Sequence, residues 1–249
     1  MKIKKRLLPS LLLTFTAGAF FSSPSIATLS HFDRHKLNID DKPEFTSIKN
    51  TDQKKQEFIN YFYPIIVNAN IDVLKKREII KKSRSPLDIA PICKKYREDC
   101  QGKNYKQRLL SKVDLILPSM AIAQGAIESG WGSSAYARKG NNFYGIYCYA
   151  SDCGASKKRS AKLKRYRTPE ASIYDYVLTL NRHDAYRELR KIRANSKRVD
   201  DWYRGLKKYS SKSSYSKMVN RIVISNDLKV IDEKMFSYFM SRNLYKISH

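Results

Sequence analysis

Residues 120–146 read MAIAQGAIESGWGSSAYARKGNNFYGI, and they put one carboxylate, Glu128, where a helix gives way to a glycine-rich turn beside a tryptophan. The small and apolar residues from Met120 favour helix, Pro118 suits its first turn, and Gly130 and Gly132 supply the backbone freedom that ends it. Glu128 therefore falls in the last turn. There the negative end of the helix dipole and apolar neighbours such as Trp131 both disfavour ionisation, raising the pKa toward the range of a general acid. Glu128 shares a face with Ala121, Gln124 and Gly125, a face with little bulk, so that a large substrate has room to approach and Gln124 and Trp131 become candidate contacts. On position alone the competing reading is a solvated glutamate beside a core tryptophan.

The surrounding motif separates these readings. The run E-S-G-W-G-x-S-x-x-A from Glu128 to Ala137, followed by N-N-x-Y-G-I from Asn141 to Ile146, resembles the signature of the bacterial glucosaminidase domain of glycoside hydrolase family 73, closest to its periplasmic Bax-type members. Leu163 to Tyr166 and Ser172 to Tyr176 are similar to the family's strand and following Ser-Ile-x-Asp-Tyr helix. Gly205 to Ser210 and then Tyr215 are similar to its closing segment, in which a tyrosine starts a helix beside the active site. Lys54 to Asn70 resembles the preceding helix of the Bax group.

The resemblance implies a mainly α (α+β), lysozyme-like helical domain with a small β-hairpin lobe beside the catalytic cleft. It implies an endo-β-N-acetylglucosaminidase acting on peptidoglycan glycan strands, with Glu128 as the catalytic acid and Tyr215 supporting catalysis or positioning the sugar. Asn142 and Tyr144 match the Asn-x-Phe-Gly positions beside the cleft, and Tyr209 of the closing segment is a further substrate contact. Tyrosine in place of phenylalanine at 144 keeps a flat ring that can cover a sugar face and adds a hydroxyl. Asn142, Phe143 and Tyr144 have an alternative use in holding the turn and packing the core. Cleavage of the neighbouring bond, as by a muramidase, and a catalytically weak or inactive wall-binding module are the rival functions.

Glycosidases commonly use two carboxyl groups. Between Cys148 and Arg167 there is no glutamate, and Asp152 is the sole acid, inside a tight loop that itself favours aspartate. Three routes stay open: Asp152 as base or stabiliser, the substrate's own acetamido group as nucleophile, or Glu128 and Tyr215 working with a water. Glu170 is a poor candidate, because Thr168-Pro169-Glu170 reads as a helix cap, a first-turn proline and an acid complementing the dipole.

Residues 1–27 read as a signal peptide: a basic start from Met1 to Arg6, an apolar stretch from Leu7 to Phe21, and Ser25-Ile26-Ala27 as a cleavage site. The apolar stretch is shorter than the roughly 20 residues a membrane helix needs, so the exported chain has no transmembrane segment and the periplasm is its expected compartment, with secretion as the alternative. Four cysteines fit an oxidising compartment, paired as Cys93 with Cys100 and Cys148 with Cys153. Neither spacing is that of a zinc knuckle and the four histidines are scattered, so no metal and no cofactor is implied.

The 249-residue chain carries 49 basic and 23 acidic residues, and without residues 1–27, which hold four basic residues and no acid, its net charge is +22. Such a surface seeks polyanions. No nucleic-acid-binding motif is present, which leaves stem-peptide carboxylates and other anionic envelope surfaces as partners. Residues 28–51 lack periodicity and read as a flexible leader. From 52 to 84 the apolar residues recur at helical spacing, and the glucosaminidase-like domain runs over 52–230, with its core at about 105–228. Residues 231–249 add a terminal helix or tail.

Overall fold

The computed structural model describes residues 42–148, 162–196 and 198–244. The expected signal peptide, the first part of the leader, Asp152 and Cys153 lie outside the described residues. The described chain is mainly helical with one two-stranded antiparallel sheet, the architecture expected from sequence.

Helix α1 (Thr51–Lys82) is one continuous helix, although Pro64 lies inside it. Asn50 caps it, its side chain accepting from the backbone N–H groups of Asp52 and Gln53, both at 2.9 Å. The apolar spacing legible in sequence becomes a buried stripe that includes Phe58, Phe62, Ile66 and Val73. Two short helices follow, α2 (Ala90–Tyr96) and α3 (Tyr105–Lys112), with the Cys93–Cys100 disulfide closing the loop after α2.

Helix α4 (Pro118–Ser129) is the centre of the molecule, with every residue from Pro118 to Ala126 buried. The extended segment that leads into it is registered by Asn70 of α1. The Asn70 amide donates to the Ile116 carbonyl at 2.8 Å and accepts from the Ile116 N–H at 3.0 Å, satisfying a buried polar side chain and a buried peptide at once. Gly130, left-handed at φ 58°, ends the helix as expected. Gly132 is also left-handed, and a Cβ there would lie 2.2 Å from the Phe45 ring. Phe45 belongs to the stretch read as leader, yet it is buried against Phe58 and Phe62.

Helix α5 (Ala135–Gly140) ends on a glycine, and Asn141 takes the left-handed cap at φ 49°. Strands β1 (Tyr147–Cys148) and β2 (Lys162–Leu163) pair Tyr147 with Leu163 and Cys148 with Lys162. Cys148 is disulfide-bonded, and the partner expected for it, Cys153, lies outside the described residues. Helix α6 (Pro169–Arg182) starts as its sequence reads, with Thr168 accepting from the Ala171 N–H at 3.2 Å and Glu170 in the first turn. Helix α7 (Arg187–Asn195) and a 3₁₀ segment (Val199–Leu206) lead to α8 (Tyr215–Ser225) and α9 (Lys229–Ser241).

Sequence assigned no role to the terminal helix. In the fold, Asp232 of α9 caps α4: its carboxylate accepts from the Ser119 N–H at 2.8 Å and from the Ser119 hydroxyl, while Ser119 Oγ also lies 2.9 Å from the Tyr203 hydroxyl. Burial pushes the Asp232 carboxyl up to about 7, against the opposing pull of the Ser119 hydrogen bonds and with Asp200 and Glu233 adding to the rise. The native state thus keeps a proton that an unfolded aspartate releases near pH 4. Its contribution to stability is complete below about pH 4 and is lost as pH rises toward 7. Asp232→Asn, which preserves shape without a charge, should remove this slope. Thermal midpoints measured from pH 4 to 8 should show the wild type losing several degrees relative to the variant, and parallel curves would disprove the link.

Candidate functional site

The last turn of α4 carries Glu128 to the wall of a cavity of about 540 Å³. Tyr144, Tyr176 and Tyr209 line it, with Gly145 from the turn before β1. Tyr215, the first residue of α8, donates its hydroxyl to Glu128 Oε1 at 2.7 Å, so two residues 87 apart in sequence meet as a hydrogen-bonded pair.

The pair is oriented from behind. Tyr176 Oη donates to Gln124 Oε1 at 2.7 Å, and Gln124 Nε2 donates to Tyr215 Oη at 3.1 Å. A phenol has one proton. With Gln124 filling its acceptor side, Tyr215 gives that proton to Oε1 of Glu128, and an acid proton on Glu128 is left to Oε2. Gly145, left-handed at φ 62°, lies beside Oε2, and a Cβ there would stand 3.4 Å from that oxygen. A glycine there keeps the oxygen's approach bare.

Two opposing effects set the charge of Glu128. Burial raises its pKa, whereas the Tyr215 hydrogen bond and the positive charge of Lys212 lower it, and burial prevails. The surrounding phenols are pushed well above their ordinary range, Tyr215 by burial first and by Glu128 second, so they act as neutral donors. Tyr144 stacks on Tyr176 with ring centres 4.0 Å apart, and Tyr209 stacks on Tyr215 at 5.5 Å while donating to the Tyr144 carbonyl at 2.7 Å.

Several sequence expectations change place. Gln124 is fully buried and holds the two tyrosines, so it does not present itself to a substrate. The low-bulk face of α4 packs inward: a Cβ on Gly125 would touch the rings of Phe58 and Tyr144 at 3.4 Å, and the small residues let helix and rings approach instead of leaving a space. Trp131, itself left-handed at φ 54°, packs edge-on to Phe58 at 5.5 Å and is not among the cavity's lining residues, so the tyrosines form the apolar surroundings of Glu128 there. Asn142 is buried and turned to the backbone, its Nδ2 donating to Ile146 and Lys164 carbonyls at 3.0 Å and its Oδ1 accepting from the Ile146 N–H at 3.1 Å. It fixes the turn that carries Tyr144 and Gly145.

Among the described residues Glu128 is the one carboxylate lining the cavity. Asp175 does not line it and is engaged by Lys164 and by the Tyr166 hydroxyl, each at 2.7 Å. Tyr176 was legible as the last residue of the Ser-Ile-x-Asp-Tyr motif, which says nothing about where its hydroxyl ends.

Residues 103–228 match the family model described as Glucosaminidase: mannosyl-glycoprotein endo-beta-N-acetylglucosaminidase. The chain belongs to the glucosaminidase family. This glucosaminidase-family chain is 28% identical over 186 residues to Protein bax of Escherichia coli (strain K12), a match covering 70% of the chain and 68% of that relative. The catalytic domain of the autolysin Auto from Listeria monocytogenes superposes with a TM-score of 0.44 at 21% identity, covering 75% of this chain and 92% of that one. The family is one of glycoside hydrolases, and its matched span contains Glu128, Tyr215 and the residues that orient them, but not α9, which caps α4 from outside it.

Tyr215→Phe keeps the stacked ring and removes the donor to Oε1. The Glu128 pKa should then rise further, because burial is left with less opposition. Carbon-13 titration of the Glu128 carboxyl would measure it, and a lower or unchanged value would contradict the pairing.

Proposed function

We propose that this glycoside hydrolase acts on peptidoglycan as an endo-β-N-acetylglucosaminidase, exported to the periplasm, with Glu128 as its general acid. The observation that carries the proposal is the Glu128–Tyr215 pair: a carboxyl with a raised pKa, hydrogen-bonded on one oxygen and open on the other, in a tyrosine-walled cavity. The exposed ring of Tyr147, which also lines the cavity, suits the apolar face of a sugar ring. The Cys93–Cys100 disulfide and the signal-like residues 1–27 support export. No helix among the described residues is long and apolar enough to cross a membrane.

In the proposed reaction Glu128 Oε2 gives its proton to the glycosidic oxygen as the bond from that oxygen to C1 breaks, and the leaving sugar departs with a free hydroxyl. Positive charge develops on C1 and the ring oxygen. The Tyr215 hydroxyl stabilises the carboxylate formed on Glu128. Water, or first the acetamido oxygen of the same sugar and then water, supplies the new bond to C1, and the water's proton restores Glu128. Asp152 remains a candidate to assist that water.

The lone cavity carboxylate among the described residues favours a second reading, a wall-binding module with little or no activity. Purified sacculi treated with the wild type or Glu128→Gln, followed by borohydride reduction and mass spectrometry of the soluble sugars, separates the readings. Reduced N-acetylglucosamine ends are expected from the wild type, with at least about a 10²-fold loss in the variant. Reduced N-acetylmuramic acid ends would make the enzyme a muramidase, and retention on sacculi without products would favour the binding module.

A further inference from the structure

Arg97 occupies a backbone position that is costly for any residue with a side chain. It caps α2 at φ 52° and ψ 49°, the left-handed conformation that helix ends usually give to glycine. The conformation is held from several sides. The Arg97 N–H reaches the carbonyls of Cys93 and Lys94, its own carbonyl accepts from Lys112 Nζ at 2.6 Å, and the Cys93–Cys100 disulfide closes the loop around it. It lines the same cavity as Glu128.

Three more cations line that cavity: Arg182 at the end of α6, Lys208 beside Tyr209, and Lys164, which is paired with Asp175 at 2.7 Å. The neighbouring acids are already paired, Asp175 with Lys164 and the others with cations outside the cavity: Glu98 with Arg108 and Lys112 at 2.8 Å, and Asp184 with Arg187 at 3.3 Å. Arg97, Arg182 and Lys208 form no ion pair among the described residues. A cavity that stacked only neutral sugar would gain nothing from three like charges along it, and their mutual repulsion is relieved by an anionic ligand.

We propose that Arg97, Arg182 and Lys208 form a subsite for the carboxylates of the peptide stems carried by the glycan strand. The proposal rests on the peptidoglycan reading and adds that stem-bearing stretches of strand are preferred over bare ones. Arg97 is kept at a position where glycine would serve the fold better because its guanidinium reaches the ligand.

Binding is measured in the Glu128→Gln protein, so that turnover does not enter, by calorimetric titration with soluble glycan strands that keep their stems and with the same strands stripped by an amidase and then amidated at the sugar carboxylates which that cleavage frees. Stem-bearing strands should bind about tenfold more tightly, a preference of the size charge-assisted contacts supply. Adding Arg97→Gly, Arg182→Gln and Lys208→Gln should cut the preference to about twofold or less while binding of stripped strands holds. Arg97→Gly alone should weaken stem-bearing strands without lowering the melting temperature. A control that removes three exposed cations elsewhere, Lys49→Gln, Lys103→Gln and Lys217→Gln, should keep the preference. Equal binding of the two strands by the Glu128→Gln protein would overturn the subsite and leave the peptidoglycan reading standing, as would an equal loss in the control. Failure of both strands to bind would overturn the two together.

Discussion

A carboxyl group taken out of water with a neutral phenol as its partner is the constraint on which this structure turns. A cation beside Glu128 would hold it ionised, and full exposure would do the same. The chain instead buries it and gives it the Tyr215 hydroxyl, a donor that favours the carboxylate but is outweighed by burial, so that the pKa stays raised. The phenol must be aimed, since a rotated hydroxyl would donate elsewhere. Gln124 and Tyr176 do the aiming from inside the core, where their polar atoms would be costly unless paired.

This arrangement explains why α4 is so thoroughly enclosed. Its C-terminal turn must hold Glu128 against Tyr215 within hydrogen-bond tolerance, so the helix is fixed along its length and at its start. Asn70 registers the segment before it, Asp232 binds the Ser119 N–H in its first turn, and the absence of a side chain at Gly125 lets Phe58 and Tyr144 close on its middle. Two of these restraints come from α1 and α9, outside the matched family span of residues 103–228. The flanking helices are thus part of the support of the site.

The sequence carried the parts of this that are local. Pro118, Gly130 and the Thr168 cap set helix ends through backbone chemistry within a few residues, and they sit where their residue types require. The Glu128 motif and Tyr215 were legible through the family pattern. Helical periodicity placed Gln124 and Gly125 on the same side as Glu128, but a shared face does not say whether the space before it holds ligand or protein, and Phe58 and Tyr144 fill it. Phe45 was hidden for a related reason: a lone aromatic in a polar stretch has no period, and its burial depends on Gly132, 87 positions away. Trp131 was read by proximity in sequence, whereas its left-handed backbone turns the ring toward α1.

The distribution of charge in the cavity bears on a conflict that the proposed acid must meet on a basic protein. Every cation close to Glu128 lowers its pKa and weakens its hold on the proton, yet recognition of an anionic polymer needs cations nearby. Among the described residues Lys212 is the one cation that acts appreciably on Glu128, and it does so more weakly than burial and Tyr215. Arg97, Arg182 and Lys208 line the same cavity without contributing to that shift. The cavity lining thus combines a carboxyl with a raised pKa and three cations, unpaired among the described residues, that do not lower it. In the proposed reading a ligand carboxylate held by those cations would not compete for the proton of Glu128, so that charge recognition and proton donation would share one cleft without opposing each other.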